Sequence, residues 1–211
     1  MATAIRSKWA SRTAVLGAAS VITVAALAAT STPAWASNTI KAKYKVTGST
    51  YLAGPKFTLS LGPGKLSSTV NAKTGKLTAT LSLPDATGTF KQSGVIPVTS
   101  TTQFINDGPT TGKLNLNTGA VTTTSKITLK IVSLTVAGIP VPVGNSCETK
   151  DPVVVTVKSE KGFNVLEGGN LGGSYTVGDF HHCLLATPLI NVTIPASGNT
   201  ITLTLGKAKI G

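Results

Sequence analysis

The sequence has 211 residues, of which 12% are charged and 5% aromatic, with 22 Gly, 11 Pro and two Cys. That length suits one domain of ordinary size, and a hydrophobic content of 41% excludes a disordered charged tail. The formal net charge of +12 is silent on the fold but favours anionic partners.

Arg6, Lys8 and Arg12 precede an apolar run from Ala14 to Thr30, and Ala34-Trp35-Ala36 places small residues at alternate positions behind it. This order predicts a secretory signal peptide over residues 1–36, cleaved after Ala36, and a single exported domain over 37–211. The run is short and Ala-rich for a permanent span, so no integral membrane protein is expected after cleavage. What remains carries sixteen lysines against seven acids, with no Arg and no Trp. It lacks the planar fork that clamps phosphates and reads guanine edges. Its eight Phe and Tyr residues form no basic-aromatic stripe for stacking on bases, so nucleic acid is not an expected partner. Anionic envelope polymers or lipid head groups fit the charge better, and a merely solubilising lysine surface fits it too.

After Ala36 the apolar residues recur with period two, which marks half-buried strands. In the first, Ile40, Ala42, Tyr44 and Val46 face one way and Lys41, Lys43 and Lys45 the other. Lysines so placed protect an edge strand or form a polyanion contact. Gly62-Pro63-Gly64 and Thr74-Gly75 punctuate the chain before a second alternation in Leu77, Ala79, Leu81 and Leu83. Asp107-Gly108-Pro109 and Thr118-Gly119 are further turns. The segments 71–77 and 116–121 place Thr-Gly between alternating arms in the same way, as in hairpin loops that need a left-handed Gly.

From Val121 to Ile131 the odd-numbered positions form one face, with Lys126 and Lys130 opposite. Gly138 to Gly144 is apolar but Pro-broken, which bars it from a central strand. Gly168 to Gly173 reads as a turn or bulge, and Ile201, Leu203 and Leu205 close the pattern. No amphipathic helical stretch of ten residues follows Ala36. The fold class is all-β: an antiparallel β-sandwich, Ig-like or a related Greek key, with a β-barrel as the alternative.

Cys147 and Cys183, the only cysteines, are expected to form a disulfide in an exported chain. Closing that loop restricts the unfolded chain by roughly 3.8 kcal/mol in the entropy account. His181-His182-Cys183 invites a metal site, but alternation turns His182 away from its neighbours and Cys147 is better used in the bridge. No metal or other cofactor is expected, and the role of His181 and His182 is left open. Gly172-Gly173-Ser174-Tyr175-Thr176 breaks the hydrolase elbow at its last position, and the seven acids form no local pair. Leu83 to Gly88 has one residue too many for a sortase signal, and Asn191-Val192-Thr193 is a formal glycosylation sequon. No catalytic residues are assigned, and no enzyme is expected.

Ala34-Trp35-Ala36, the stretch Ile105 to Gly112, the segment Gly138 to Cys147, and Gly169 to Gly206 with its single Cys together resemble a group of uncharacterised exported β-rich proteins of actinobacteria. The resemblance implies an extracellular or cell-envelope location and carries no catalytic or ligand residues with it. The expected function is a secreted or cell-envelope protein acting through its surface without catalysis. The alternative is a carrier of apolar small molecules or lipids in a β-lined cavity.

Overall fold

A computed structural model describes residues 38–211, so the expected signal peptide lies outside the described residues. The chain rises as β1 (Thr39–Leu52), descends as β2 (Phe57–Asn71), and rises again as β3 (Lys76–Ser82) and β4 (Ala86–Gln92). It returns through β5 (Ile96–Asn106) and β6 (Thr110–Leu114), then climbs the full height as β7 (Val121–Val136). Three pieces descend beside β7: β8 (Ile139–Pro140), β9 (Glu148–Thr149) and β10 (Val153–Ser159). β11 (Gly169–Val177) rises, β12 (Phe180–His181) pairs with β9, and a 3-10 turn (Leu184–Ala186) leads into α1 (Thr187–Thr193). β13 (Ala196–Leu205) and β14 (Lys209–Ile210) finish the chain against β1.

The pairing order β10-β11-β13-β1-β2-β3-β6-β7 is antiparallel throughout, and β7 pairs with β10 to close it. The sheet is therefore an eight-stranded barrel, the alternative to the expected sandwich, with β4 and β5 as outer strands. The reason lies in β7, whose length lets it serve two neighbourhoods. Its lower half pairs with β6 and β10, and its upper half with β5, β8 and β9. Among the described strands longer than two residues, only β4 has a single partner strand.

Closure also corrects the reading of β1. It is hydrogen-bonded to β2 along one side and to β13 and β14 along the other, so Lys41, Lys43 and Lys45 do not guard a sheet edge.

The period-two pattern becomes the barrel's interior. Ala42, Tyr44 and Val46 of β1 point inward with Leu59, Leu61 and Val70 of β2, and Ile131 of β7 has no exposure at all. Each such aliphatic contributes about 1.5–3 kcal/mol when fully withdrawn from water. Along β7 the odd positions stay inward to Ile131. The register with β5 then slips at Val132, and Leu134 becomes the buried residue. A bulge of this kind re-aims every later side chain. Ile40, expected on the buried row, is 49% exposed because it lies at the strand's start.

The lower end is turned by three copies of one device. The Oδ1 of Asn71 accepts from the amides of Lys73 and Thr74, while Gly75 donates to the Asn71 carbonyl. Asn115 does the same for Asn117, Thr118 and Gly119, and Asn164 for Leu166, Glu167 and Gly168. Asn serves because its short side chain mimics a turn of backbone. Each Gly then takes a positive φ, between 68° and 89°.

The upper end is closed by the segment from β12 through α1. Pro188 starts the helix where no amide partner is needed, and Ile190 is buried beneath it. Asn191 Oδ1 accepts from the Phe180 amide and its Nδ2 donates to the Phe180 carbonyl, so this sequon side chain clamps the cap. Asn199, fully buried, accepts from the Ala53 amide and donates to the carbonyls of Ala196 and Tyr175. The disulfide Cys147–Cys183 ties the descending arm beside β7 to the same cap.

Candidate functional site

Outward residues of β14, β1, β2, β3 and β6 form one continuous wall. Lys41, Lys43 and Lys45 on β1 are joined there by Lys65, Lys76, Lys113 and Lys209, all exposed. The register makes this more than a tally. Lys43 lies directly opposite Lys209, Lys45 opposite Lys65, and Lys76 opposite Lys113. Directly opposed like charges on a sheet are destabilising. No Asp or Glu occupies any of these five strands. Among the described residues the ion pairs are Lys207–Glu167 at 3.2 Å and His181–Glu148 at 3.8 Å, and neither involves a wall lysine.

A groove of about 250 Å³ crosses this wall, bordered by Lys41 and Lys43 on one side and by Thr78, Thr80 and Pro109 on the other. Ser67 and Thr69 lie between them on β2. Among the described residues none of the four hydroxyls of Ser67, Thr69, Thr78 and Thr80 has an intramolecular partner, and all four can donate to an incoming oxyanion. The adjoining face of β4 and β5 differs. There Thr87 bonds to Thr101 and Thr89 to Thr99, at 2.8 and 2.9 Å. The wall thus offers free donors and uncompensated positive charge, the chemistry that receives phosphate or carboxylate groups.

Sequence reasoning found Lys41, Lys43 and Lys45 and missed Lys65, Lys76, Lys113 and Lys209. Of these four only Lys76 adjoins an alternation legible in the sequence, that of Leu77, Ala79, Leu81 and Leu83. Which strands lie side by side, and in what register, is set by the barrel.

Behind the wall lies an apolar cavity of about 70 Å³ along the barrel interior, lined mainly by Val, Leu, Ile and Ala side chains, with Phe163 of the lower β10–β11 loop among its lining. Of its five lining hydroxyls, four are already engaged. Tyr44 donates to the Val165 carbonyl, Ser68 to the Ala42 carbonyl, and Thr110 pairs with Ser125. Burial raises the Tyr44 hydroxyl above its ordinary pKa, and it raises Tyr175, which bonds to Thr50, in the same way. Both interior phenols therefore stay neutral and structural across the physiological range.

The rings of His181 and His182 stack with centroids 4.1 Å apart, and His181 faces Glu148. Cys183 is spent in the disulfide. Among the described residues no three His, Cys, Asp or Glu side chains come together as a metal site would need. No helix among them is long and apolar enough to cross a membrane. No family model, curated protein or solved structure matches the chain.

Proposed function

We propose that this is an exported, non-catalytic binding protein that holds an anionic envelope polymer against the outer wall of its barrel. The observation that carries the reading is the register of Lys43 with Lys209, Lys45 with Lys65 and Lys76 with Lys113, on strands that bear no acid. Three opposed pairs are an unfavourable arrangement for a free surface, and a polymer of phosphate or carboxylate groups relieves all three at once. The unpartnered hydroxyls of Ser67, Thr69, Thr78 and Thr80 add short-range donors along the same groove. The disulfide is compatible with an extracellular location.

The test is retention of the purified protein on immobilised polyphosphate and on polyglutamate, each at rising salt. Binding at 50 mM salt that collapses by 0.5 M is expected, because exposed charges are screened over such a range. A Lys45→Thr, Lys76→Thr, Lys209→Thr variant is expected to bind at least about tenfold more weakly, following the loss of one member of every opposed pair. Binding indifferent to these substitutions would overturn the proposal.

A second reading, carriage of a small apolar molecule, draws support from the interior cavity. At about 70 Å³ it is roughly half the 150 Å³ of an engineered cavity that admits benzene. A larger occupant therefore requires lining side chains to give way, and Phe163, on the lower β10–β11 loop, is an aromatic among them. A Phe163→Ala variant is expected to take up benzene or xenon where the parent does not, seen as methyl shifts of Val121 and Leu77 in NMR spectra. Identical spectra with and without the probe count against carriage.

A further inference from the structure

The upper end of the barrel carries a second, different surface. Val95, Ile139, Leu184, Leu185 and Val192 are 60–96% exposed, more than every other large hydrophobic residue described, of which the next is Leu166 at 56%. All five sit at the upper end: Val95 in the β4–β5 turn, Ile139 at the start of β8 just past the β7–β8 turn, and Leu184, Leu185 and Val192 in the cap from β12 through α1. The segments adjoin one another. The Ala137 amide donates to the carbonyl of Pro97, the second residue of β5, which sets the β7–β8 turn beside the start of β5. A side chain added at Gly144 would meet Leu184 at 3.3 Å, which brings the β8–β9 loop against the cap. Val192 shares a hollow with Ser93 and Gly94.

The backbone presenting these residues is unusual as well. Every non-glycine residue described with a positive φ lies here: Lys56, Ser93, Ala137, His182 and Leu184, with φ between 49° and 56°. Ser93 and Ala137 precede glycines in tight hairpin turns, and the next residues are Val95 and Ile139. His182 and Leu184 flank the disulfide-bonded Cys183 and hold Leu184 and Leu185 outward. Left-handed conformations in non-glycine residues are unfavourable and persist where the surroundings enforce them. The exposed aliphatics are thus held on stiff turns.

A hollow of about 600 Å³ at this end, between the β1–β2 turn, the end of β4 and α1, is lined by Gly54–Phe57, Phe90–Gly94, Val192 and Thr193. Its two charged residues are Lys56 and Lys91, and no carboxylate lines it. We propose that this end docks on a lipid bilayer with anionic head groups, the aliphatic tips entering the acyl boundary and the two lysines receiving a head-group phosphate. Aliphatic points beside ammonium groups match the depth profile of a membrane surface, apolar below and anionic above. A second copy is the poorer occupant, because a two-fold contact through this face sets Lys56 and Lys91 near their own duplicates. The proposal is independent of the lysine wall, which faces sideways from the barrel.

The test is co-flotation of the purified protein with vesicles of phosphatidylglycerol and phosphatidylcholine, against vesicles of phosphatidylcholine alone. Binding to the anionic vesicles is expected. A Leu185→Ser, Val192→Ser variant, altered at two exposed positions and checked for an unchanged melting temperature, is expected to partition at least about tenfold more weakly, since each side chain loses its transfer to the acyl region. Lys56→Gln with Lys91→Gln is expected to remove the preference for phosphatidylglycerol. Binding lost only in the Lys45→Thr, Lys76→Thr, Lys209→Thr variant would assign the vesicles to the wall and overturn the proposal. Absence of binding to either vesicle overturns it too, as does sedimentation as a dimer that Leu185→Ser dissociates.

Discussion

If the lysine wall is kept for binding, removing its charges must stabilise the barrel. Lys45→Thr, Lys76→Thr and Lys209→Thr together dissolve all three opposed pairs while leaving Lys41, Lys43, Lys65 and Lys113 in place. Cross-strand neighbours lie about 5 Å apart at Cβ, and an unfavourable pair costs about 0.2–1 kcal/mol. The three together amount to about 0.6–3 kcal/mol, with the lower part of that range expected because every one of these lysines is exposed to solvent. For a domain of this size about 1 kcal/mol moves the melting temperature by about 2–4 °C. The variant should therefore melt about 1–12 °C higher at 20 mM salt.

Salt separates this origin from its competitor. Thr also favours strands intrinsically, and that contribution is independent of ionic strength. At 1 M salt the screening length is about 3 Å, shorter than the spacing of the pairs, so the electrostatic part should vanish. Lys158→Thr supplies the control, since Lys158 is exposed on a strand paired on both sides and lies opposite Thr122 and Gly172. Thermal melts followed by circular dichroism at both salt concentrations read the difference. A triple variant no more stable than the control predicts, or a gain that persists undiminished at 1 M salt, would refute the claim that the wall is under electrostatic strain.

Gly75 and Gly119 occupy the same turn with φ of 68° and 74°, yet a Cβ at Gly75 would collide with the Leu114 carbonyl and one at Gly119 would meet nothing within 4 Å. Ala at either site carries the left-handed penalty of about 1 kcal/mol. Gly75→Ala should exceed Gly119→Ala by at least about another 1 kcal/mol in urea denaturation, because a backbone atom must move. Replacing Cys147 and Cys183 by Ser should cost about 3–4 kcal/mol, and amide exchange should quicken first in the cap around Cys183 and Ile190, which the bridge secures. The raised pKa of Tyr44 has a defined sign. The unfolded phenol ionises near pH 10 and the folded one later, so its contribution is complete below pH 10 and is lost as pH climbs through the folded value. Tyr44→Phe should flatten that alkaline decline in denaturation measured from pH 8 to 11, and an unchanged slope would show that Tyr44 is not its source.

The strand content was legible because polar residues, mostly Thr, Ser and Lys, alternate with apolar ones in segments such as Ile40–Val46, and a period of two leaves no helical reading for Lys76–Ser82 or Val121–Ile131. The disulfide was legible from an even cysteine count. Closure was not. A sandwich and a barrel bury the same alternate residues, and the difference lies in whether β7 finds β10, a contact between residues far apart in the chain. The slip at Val132 was equally hidden, since Val132 and Leu134 are both apolar and only the register with Thr101 and Thr102 decides which is buried. The turns at Gly75 and Gly119 were read from their Thr-Gly pairs. The third, at Asn164 and Gly168, lacks Thr-Gly: its glycines mark a turn or bulge over Gly168 to Gly173, whereas the turn ends at Gly168 and Gly169 already opens β11, and only the shared Asn-to-Gly spacing shows its kinship with the other two. Three of the seven wall lysines were visible as a single-strand alternation. The other four required the register.

That register also changes what the first three mean. In an open sheet with β1 at its border, Lys41, Lys43 and Lys45 would be explained by the need to repel another molecule's strand, and no ligand would have to be invoked. Once the barrel closes, β1 has strand partners on both sides, β2 on one and β13 and β14 on the other, and no longer presents an open edge around Lys41, Lys43 and Lys45. Solubility does not demand the arrangement either, since sixteen lysines could be scattered among the exposed Thr and Ser positions without opposing one another. Placing lysine against lysine in three of the four strand pairings of the wall concentrates charge where intramolecular energetics resist it. A repeated anionic chain lying across β14, β1, β2, β3 and β6 is the partner whose spacing and charge turn that resistance into binding energy.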